Sequence, residues 1–115
     1  MSILSIIEKN EFVVISKKLC KNCTKLKDLL NSKQVSFISI GMEDHMEKYD
    51  DDDFIFDEIE HLKTKWGITS YPMTFIKNEF VGDYTAIEKM NAFGDFDILL
   101  KNKNIHYISQ ADDEF

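Results

Sequence analysis

Apolar and polar positions change their spacing several times along the chain, and each change marks an expected element. Ile3, Ile6 and Ile7 recur at i, i+3, i+4, which predicts a short helix or a frayed arm from Ser2 to Lys9. Phe12 to Ile15 is an unbroken apolar run rich in β-branched residues, the pattern of a buried strand. Cys23, Leu26, Leu29 and Leu30 return to helical spacing, and Asn31-Ser32 closes that segment. From Val35 to Ile40 the chain reads as a second strand, with Val35, Phe37 and Ser39 alternating against Ser36, Ile38 and Ile40. A strand, a helix and a strand in this order predict a right-handed crossover between parallel strands.

Asp44 to Asp53 is strongly acidic with few apolar anchors and reads as a solvated loop or a ragged helical turn. Beyond it, Ile55, Ile59, Leu62 and Trp66 form a helical stripe from Phe54 that ends at Gly67. The stretch MTFIKNEFVG predicts two short strands around a Lys77-Asn78 turn, and so tight a connection makes them antiparallel. Ile87 and Met90, with Phe93 just beyond, mark a helix after Thr85, and a last helix from Asp95 to Asn102 has Phe96, Leu99 and Leu100 to bury. Residues 105–115 find no apolar partner in this scheme and end acidic, so they are expected as a tail. The sum is an α/β fold: a three-layer sandwich on a mixed four-stranded sheet, formed by residues 1–115 as a single domain without repeats or linker.

Composition narrows what such a domain does. Apolar residues make up 43% of the chain, enough for a core, yet no uncharged apolar run approaches the roughly 20 residues needed to cross a bilayer. The first residues lack the basic segment and the apolar stretch of a secretory signal, so a reducing compartment such as the cytoplasm is expected. The formal charge of -7 argues against nucleic-acid partners. Lys17, Lys18, Lys21, Lys25 and Lys27 nonetheless form one positive region, and it surrounds both cysteines. With no arginine anywhere, bidentate guanidinium clamps are unavailable, and a small anionic substrate fits the lysines better than DNA does. An arginine-free chain rich in Asn and Lys is associated with AT-rich genomes, such as those of large DNA viruses and protists; a viral source would place the protein in host cytoplasm or the virion.

The chemistry to explain is Cys20-Lys21-Asn22-Cys23, which falls after the first strand and opens a helix. Open α/β sheets place their sites at this carboxyl edge. Unpaired N–H groups of a first helical turn and the helix dipole favour a thiolate at Cys20, and the neighbouring lysines act in the same direction. At this spacing Cys20 can attack a disulfide and Cys23, one turn further in, can resolve the mixed disulfide that forms. Structural zinc needs four ligands, whereas the chain has two cysteines and His45, His61 and His106 in unrelated elements, so no metal is expected. A purely structural disulfide here would close a loop too short to restrain much of the unfolded chain.

The single proline, Pro72, precedes the third strand, where a missing N–H donor is tolerated. KKLCKNC, TSYP and FVGDYTAIEKMNAFGDF together resemble the glutaredoxins of the thioredoxin superfamily, over roughly Glu11 to Lys101. That resemblance implies a thioredoxin-like fold, a cis Tyr71-Pro72 bond beside the cysteines, and glutathione as co-substrate. It assigns Cys20 as exposed nucleophile and Cys23 as buried resolving thiol. It gives Tyr71 and Pro72 the backbone of the glutathione cysteine, Lys17 a glutathione carboxylate, and Thr85 the γ-glutamyl carboxylate.

The implied activity is that of a dithiol–disulfide oxidoreductase acting on protein or glutathione mixed disulfides. KWGITSYPMTFIKN also looks like the matching stretch of thioredoxins, which keeps open a protein disulfide reductase fed by a flavoprotein reductase or another donor. A third alternative is a non-catalytic member whose acidic segments, Glu43 to Asp53 and Asp112 to Glu114, bind a protein partner. Departures from the family pattern weaken the glutathione assignment in one place. Where glutaredoxins commonly read Gly-Gly, one residue, Ser or Thr, then Asp, this chain reads Gly82-Asp83-Tyr84-Thr85-Ala86. Ala86 lacks the carboxylate that would meet the glutathione amino group, and Asp83 sets negative charge where glycine permits close approach. Lys63 or Lys65 is a further candidate for the second glutathione carboxylate. The bulky Lys21 and this altered loop argue against the bridging iron–sulfur cluster that some glutaredoxins hold.

Overall fold

Burial on both faces of one strand organises the molecule. The computed structural model describes residues 2–42 and 52–108, with the backbone alone over 52–56. In it Phe12–Ser16 form β1, and all of these residues are buried. Successive side chains of a strand point to opposite faces. Phe12 and Val14 therefore enter one apolar layer with Leu26, Leu30, Ile87 and Phe96, while Val13 and Ile15 enter a second with Ile3, Ile7, Ile59 and Leu62. A strand covered on both sides shows no polar alternation, which is why this stretch reads as a continuous apolar run.

The neighbours of β1 follow as the patterning predicts. Ile38–Gly41 form β2, parallel to β1, with Val13 opposite Ile38 and Ile15 opposite Ile40. Met73–Ile76 form β3, antiparallel to β1, and Glu79–Gly82 form β4, antiparallel to β3. The strand order β2-β1-β3-β4 gives a mixed four-stranded sheet. Ile3–Lys9 (α1) and Asp52–Trp66 (α3) cover one face; Lys21–Ser32 (α2), Tyr84–Ala92 (α4) and Asp95–Asn102 (α5) cover the other. The expected three-layer α/β sandwich is the fold observed. Both apolar layers share the one sheet. The first N–H of α1 donates to Glu58 Oε2 of α3 at 2.9 Å, which pairs an otherwise orphaned donor with a buried carboxylate.

Two expectations change, and helix termination accounts for both. The second strand begins at Ile38 and not at Val35. Helix α2 ends with Gln34 at φ 55°, while the N–H groups of Gln34 and Val35 donate to Asn31 and Leu30. Such a stop places an apolar residue against the last turn. Val35 does this, packing in the same layer as Leu30, so it serves the helix before the strand starts.

The same device recurs at the end of α5, with Asn104 at φ 58° and the Ile105 N–H donating to Leu100. Ile105 is buried, and the Ile108 N–H donates to the Lys33 carbonyl at 2.8 Å. Residues 105–108 are thus docked on the domain and not part of a tail. Phe93 stands just past α4 and is exposed, outside the core that Ile87 joins. His45, most of the Glu43 to Asp53 segment, the Ile55 side chain and the acidic Asp112 to Glu114 lie outside the described residues.

Candidate functional site

The cysteines stand where β1 delivers the chain to α2. Lys17 to Leu19 make the turn, and Leu19 takes φ 57°, a left-handed conformation uncommon for a residue with a Cβ. Cys20 is the N-cap of α2, in extended conformation, and its Sγ accepts the Cys23 N–H at 3.1 Å. A sulfur in that position faces the positive end of the helix. Cys20 and Cys23 are joined as a disulfide with their Cα atoms 5.2 Å apart. Cys20 is partly exposed, whereas Cys23 is buried at 3% exposure on the inner face of α2 with Leu26 and Leu30. The asymmetry expected of an outer and an inner thiol is therefore present.

A cleft of about 350 Å³ opens beside the pair, lined by Ser16, Lys17, Leu19, Lys21 and Lys27 among others. Lys27 donates to the Ser16 hydroxyl at 3.2 Å, holding one ammonium at the floor of the site. The Tyr71-Pro72 bond is cis, and Pro72 is buried immediately before β3. Two ammonium groups approach the Tyr71 ring, with Lys17 Nζ at 5.4 Å and Lys63 Nζ at 5.7 Å from its centroid. Cation–π attraction thus links the cysteine turn, the proline loop and α3. Lys63 is the lysine of the pair that joins the site, since Lys65 lies over the Trp66 ring at 5.3 Å.

The loop that opens α4 holds a residue whose structural role the sequence analysis missed. Asp83 is the N-cap of α4: its Oδ1 accepts the Ala86 N–H at 3.0 Å and its Oδ2 accepts the Ser70 hydroxyl at 2.7 Å. The Ala86 N–H holds this carboxyl below its usual range against a smaller opposing effect of burial, and the Ser70 hydroxyl and the Thr85 N–H add to the lowering. Asp directly before a new helix is a strong N-cap signal and could have located this role. The bond to Ser70 ties α4 to the residue preceding Tyr71. Gly82 sits at φ 151°, and a Cβ there would come within 2.9 Å of Ala86 Cβ, so the approach of β4 to α4 requires glycine.

Of the expected site residues, Cys20, Cys23, Lys17, Tyr71 and Pro72 are linked through the disulfide and the lysine–tyrosine contact. Thr85 is exposed in the first turn of α4, connected to them through Asp83 and Ser70. As a receptor for glutathione the site offers positive charge at the lysine end, where Lys17 and Lys63 both approach Tyr71. It does not fit at the α4 end, where a protein carboxylate already engages the N–H groups. Among the described residues, no three His, Cys, Asp or Glu side chains group as a metal site, and His61 and His106 are exposed on separate segments.

Proteins of the same fold are found among solved structures. A search of curated proteins finds no match. Among solved structures, a buckwheat glutaredoxin–glutathione complex aligns with a TM-score of 0.71 at 21% identity, covering 92% of this chain and 88% of that one. The dithiolic glutaredoxin 2-C-Grx1 of Trypanosoma brucei brucei aligns with a TM-score of 0.70 at 23% identity, over 87% of this chain and 96% of its own. Oxidized glutaredoxin 2 of Chlamydomonas reinhardtii aligns at 0.68 and 25% identity, over 89% and 90%. These likenesses establish the thioredoxin-like fold. The family model named Glutaredoxin matches residues 12–81, more than half of the chain, from β1 through the cysteines and the cis-proline into β4. By that match the chain belongs to the glutaredoxin family.

Proposed function

We propose that this protein is a dithiol–disulfide oxidoreductase in which Cys20 attacks and Cys23 resolves, with disulfide-containing proteins as substrates and glutathione as thiol partner. In the reduced protein, the first-turn N–H groups of α2 stabilise negative charge on Cys20 Sγ. Cys20 attacks one sulfur of the substrate disulfide; that bond breaks, one thiolate leaves, and a mixed disulfide remains on Cys20. Cys23 then attacks Cys20 Sγ, the second substrate thiol departs, and the intramolecular disulfide forms. Two equivalents of a thiol donor return the pair to its reduced state. The observation that carries this reading is the placement of Cys20 Sγ at the N-cap, accepting from Cys23 N–H, with its partner sulfur bonded behind it.

The remaining site residues supply orientation. Lys17 offers an ammonium to a substrate carboxylate, Tyr71 and Pro72 present backbone beside the cysteines, and Thr85 stands at the far end near α4. A reducing compartment suits a pair that must be recycled. The test uses the pre-reduced protein and a peptide whose cysteine is disulfide-bonded to glutathione. Release of peptide thiol by the wild type, reduced to the uncatalysed rate in Cys20→Ser, is the expected result. Equal release by Cys20→Ser would end the reading and leave a fold retained for binding a protein partner. Turnover sustained by glutathione alone distinguishes a glutathione-fed enzyme from one recharged by a flavoprotein reductase.

A further inference from the structure

The start of α4 is satisfied from within the chain. Asp83 places one carboxylate oxygen on the Ala86 N–H at 3.0 Å and the other on the Ser70 hydroxyl at 2.7 Å. The Thr85 N–H also contributes to holding this group ionised. Donors at the beginning of a helix form a ready receptor for a carboxylate. Here that receptor holds a carboxylate that cannot diffuse away. A tethered group acts at an effective concentration that a free ligand must match. A substrate carboxylate arriving at this end would meet donors already engaged and a negative charge already present.

We propose that Asp83 is a specificity-determining residue: it occupies the carboxylate position at the start of α4, so the protein discriminates against thiols carrying a carboxylate at that end and favours disulfides that lack one there. This rests on the thiol-exchange reading above and refines its substrate class. Glutathione is then held by its cysteine and glycine portions, and its γ-glutamyl α-carboxylate contributes nothing to recognition. Polypeptide disulfides, whose backbone offers amides in place of that carboxylate, are the favoured class.

The experiment compares two mixed disulfides on one peptide in single turnover with pre-reduced protein. One carries glutathione; the other carries the analogue in which 4-aminobutyrate replaces γ-glutamate, which keeps the ammonium and lacks only the α-carboxylate. Each reaction consumes one peptide disulfide, releases peptide thiol and small thiol, and leaves the Cys20–Cys23 disulfide, so no external reductant enters. The wild type is expected to reduce the analogue at least as fast as the glutathione form. In Asp83→Ala the ratio should shift toward glutathione by about tenfold or more, the worth of a charge-assisted hydrogen bond. Asp83→Asn keeps an acceptor for the Ala86 N–H but removes the charge, and should shift the ratio in the same direction by less; it decides the matter if the alanine variant does not fold. A tenfold preference of the wild type for glutathione, or ratios unmoved in these variants, would overturn the proposal and leave Asp83 a helix cap only. Failure of the wild type to release peptide from either disulfide would overturn the exchange reading instead.

Discussion

Replacing Asp97 by Asn tests how the second apolar layer is held shut. Lys33 is the C-cap of α2, its side chain is 3% exposed, and its ammonium lies 2.7 Å from Asp97 Oδ1 in the first turn of α5, where the carboxylate is 27% exposed. Breaking a fully buried pair by removing one partner costs about 3 to 5 kcal/mol, because the charge left behind is uncompensated. Water reaches the Asp97 end, so we expect roughly 2 to 3 kcal/mol for Asp97→Asn, between the buried value and the near-zero value of an exposed pair. Lys33→Met should behave differently. It removes the buried charge, keeps an apolar stem of similar length, and leaves Asp97 at the edge where it can hydrate, so its cost is expected below about 1 kcal/mol. Urea unfolding followed by fluorescence of Trp66, the only tryptophan, gives both values from midpoints at constant slope. If Lys33→Met proves the costlier change, or Asp97→Asn shifts stability by less than about 0.5 kcal/mol, the assignment of the penalty to an unpaired buried ammonium is wrong.

Cys23→Ser should still undergo attack on the substrate by Cys20 but fail to resolve, so intact-mass spectrometry should find the mixed disulfide accumulating at Cys20. Leu19→Gly relieves a left-handed residue whose side chain is fully exposed and packs on nothing. Left-handed backbone costs a residue with a Cβ roughly 1 to 2 kcal/mol, partly offset by the unfolded-state freedom of glycine, so a gain of about 0.5 to 1 kcal/mol is expected, read as a melting temperature a few degrees higher. Because folding lowers the Asp83 carboxyl from its ordinary value of 3.8, chiefly through the Ala86 N–H, its contribution is complete above that value and disappears as pH falls through the folded-state one. The melting advantage of wild type over Asp83→Asn should therefore be present near about pH 6 and shrink toward about pH 2.5; an advantage that grows on acidification contradicts the cap.

Much of this architecture was legible in one dimension. The run at Phe12 to Ile15 announces a strand buried on both faces because apolar residues without alternation need cover on both sides. The helical stripes at Leu26, Leu30, Ile59 and Leu62 identify the covering helices. The cysteine pair opening a helix after that strand carries its chemistry in local geometry alone, since the N-cap sulfur and the Cys23 N–H are only three residues apart. Val35 and Ile105 were harder to place. Each is an apolar residue just after a helix, and only three-dimensional packing shows that it closes the turn it follows and does not begin a strand or a tail.

Short-range order and the burial pattern are properties the amino-acid sequence determined on its own, because hydrophobic periodicity, capping and turn chemistry act between residues close along the chain. What only the tertiary structure decided are the meetings across long stretches of it: Lys17 and Lys63 over the Tyr71 ring, Lys33 against Asp97, and Ser70 against Asp83. Their partners are chosen by how the layers stack on the sheet. A lysine or an aspartate at the surface has many possible neighbours, and the packed backbone selects one.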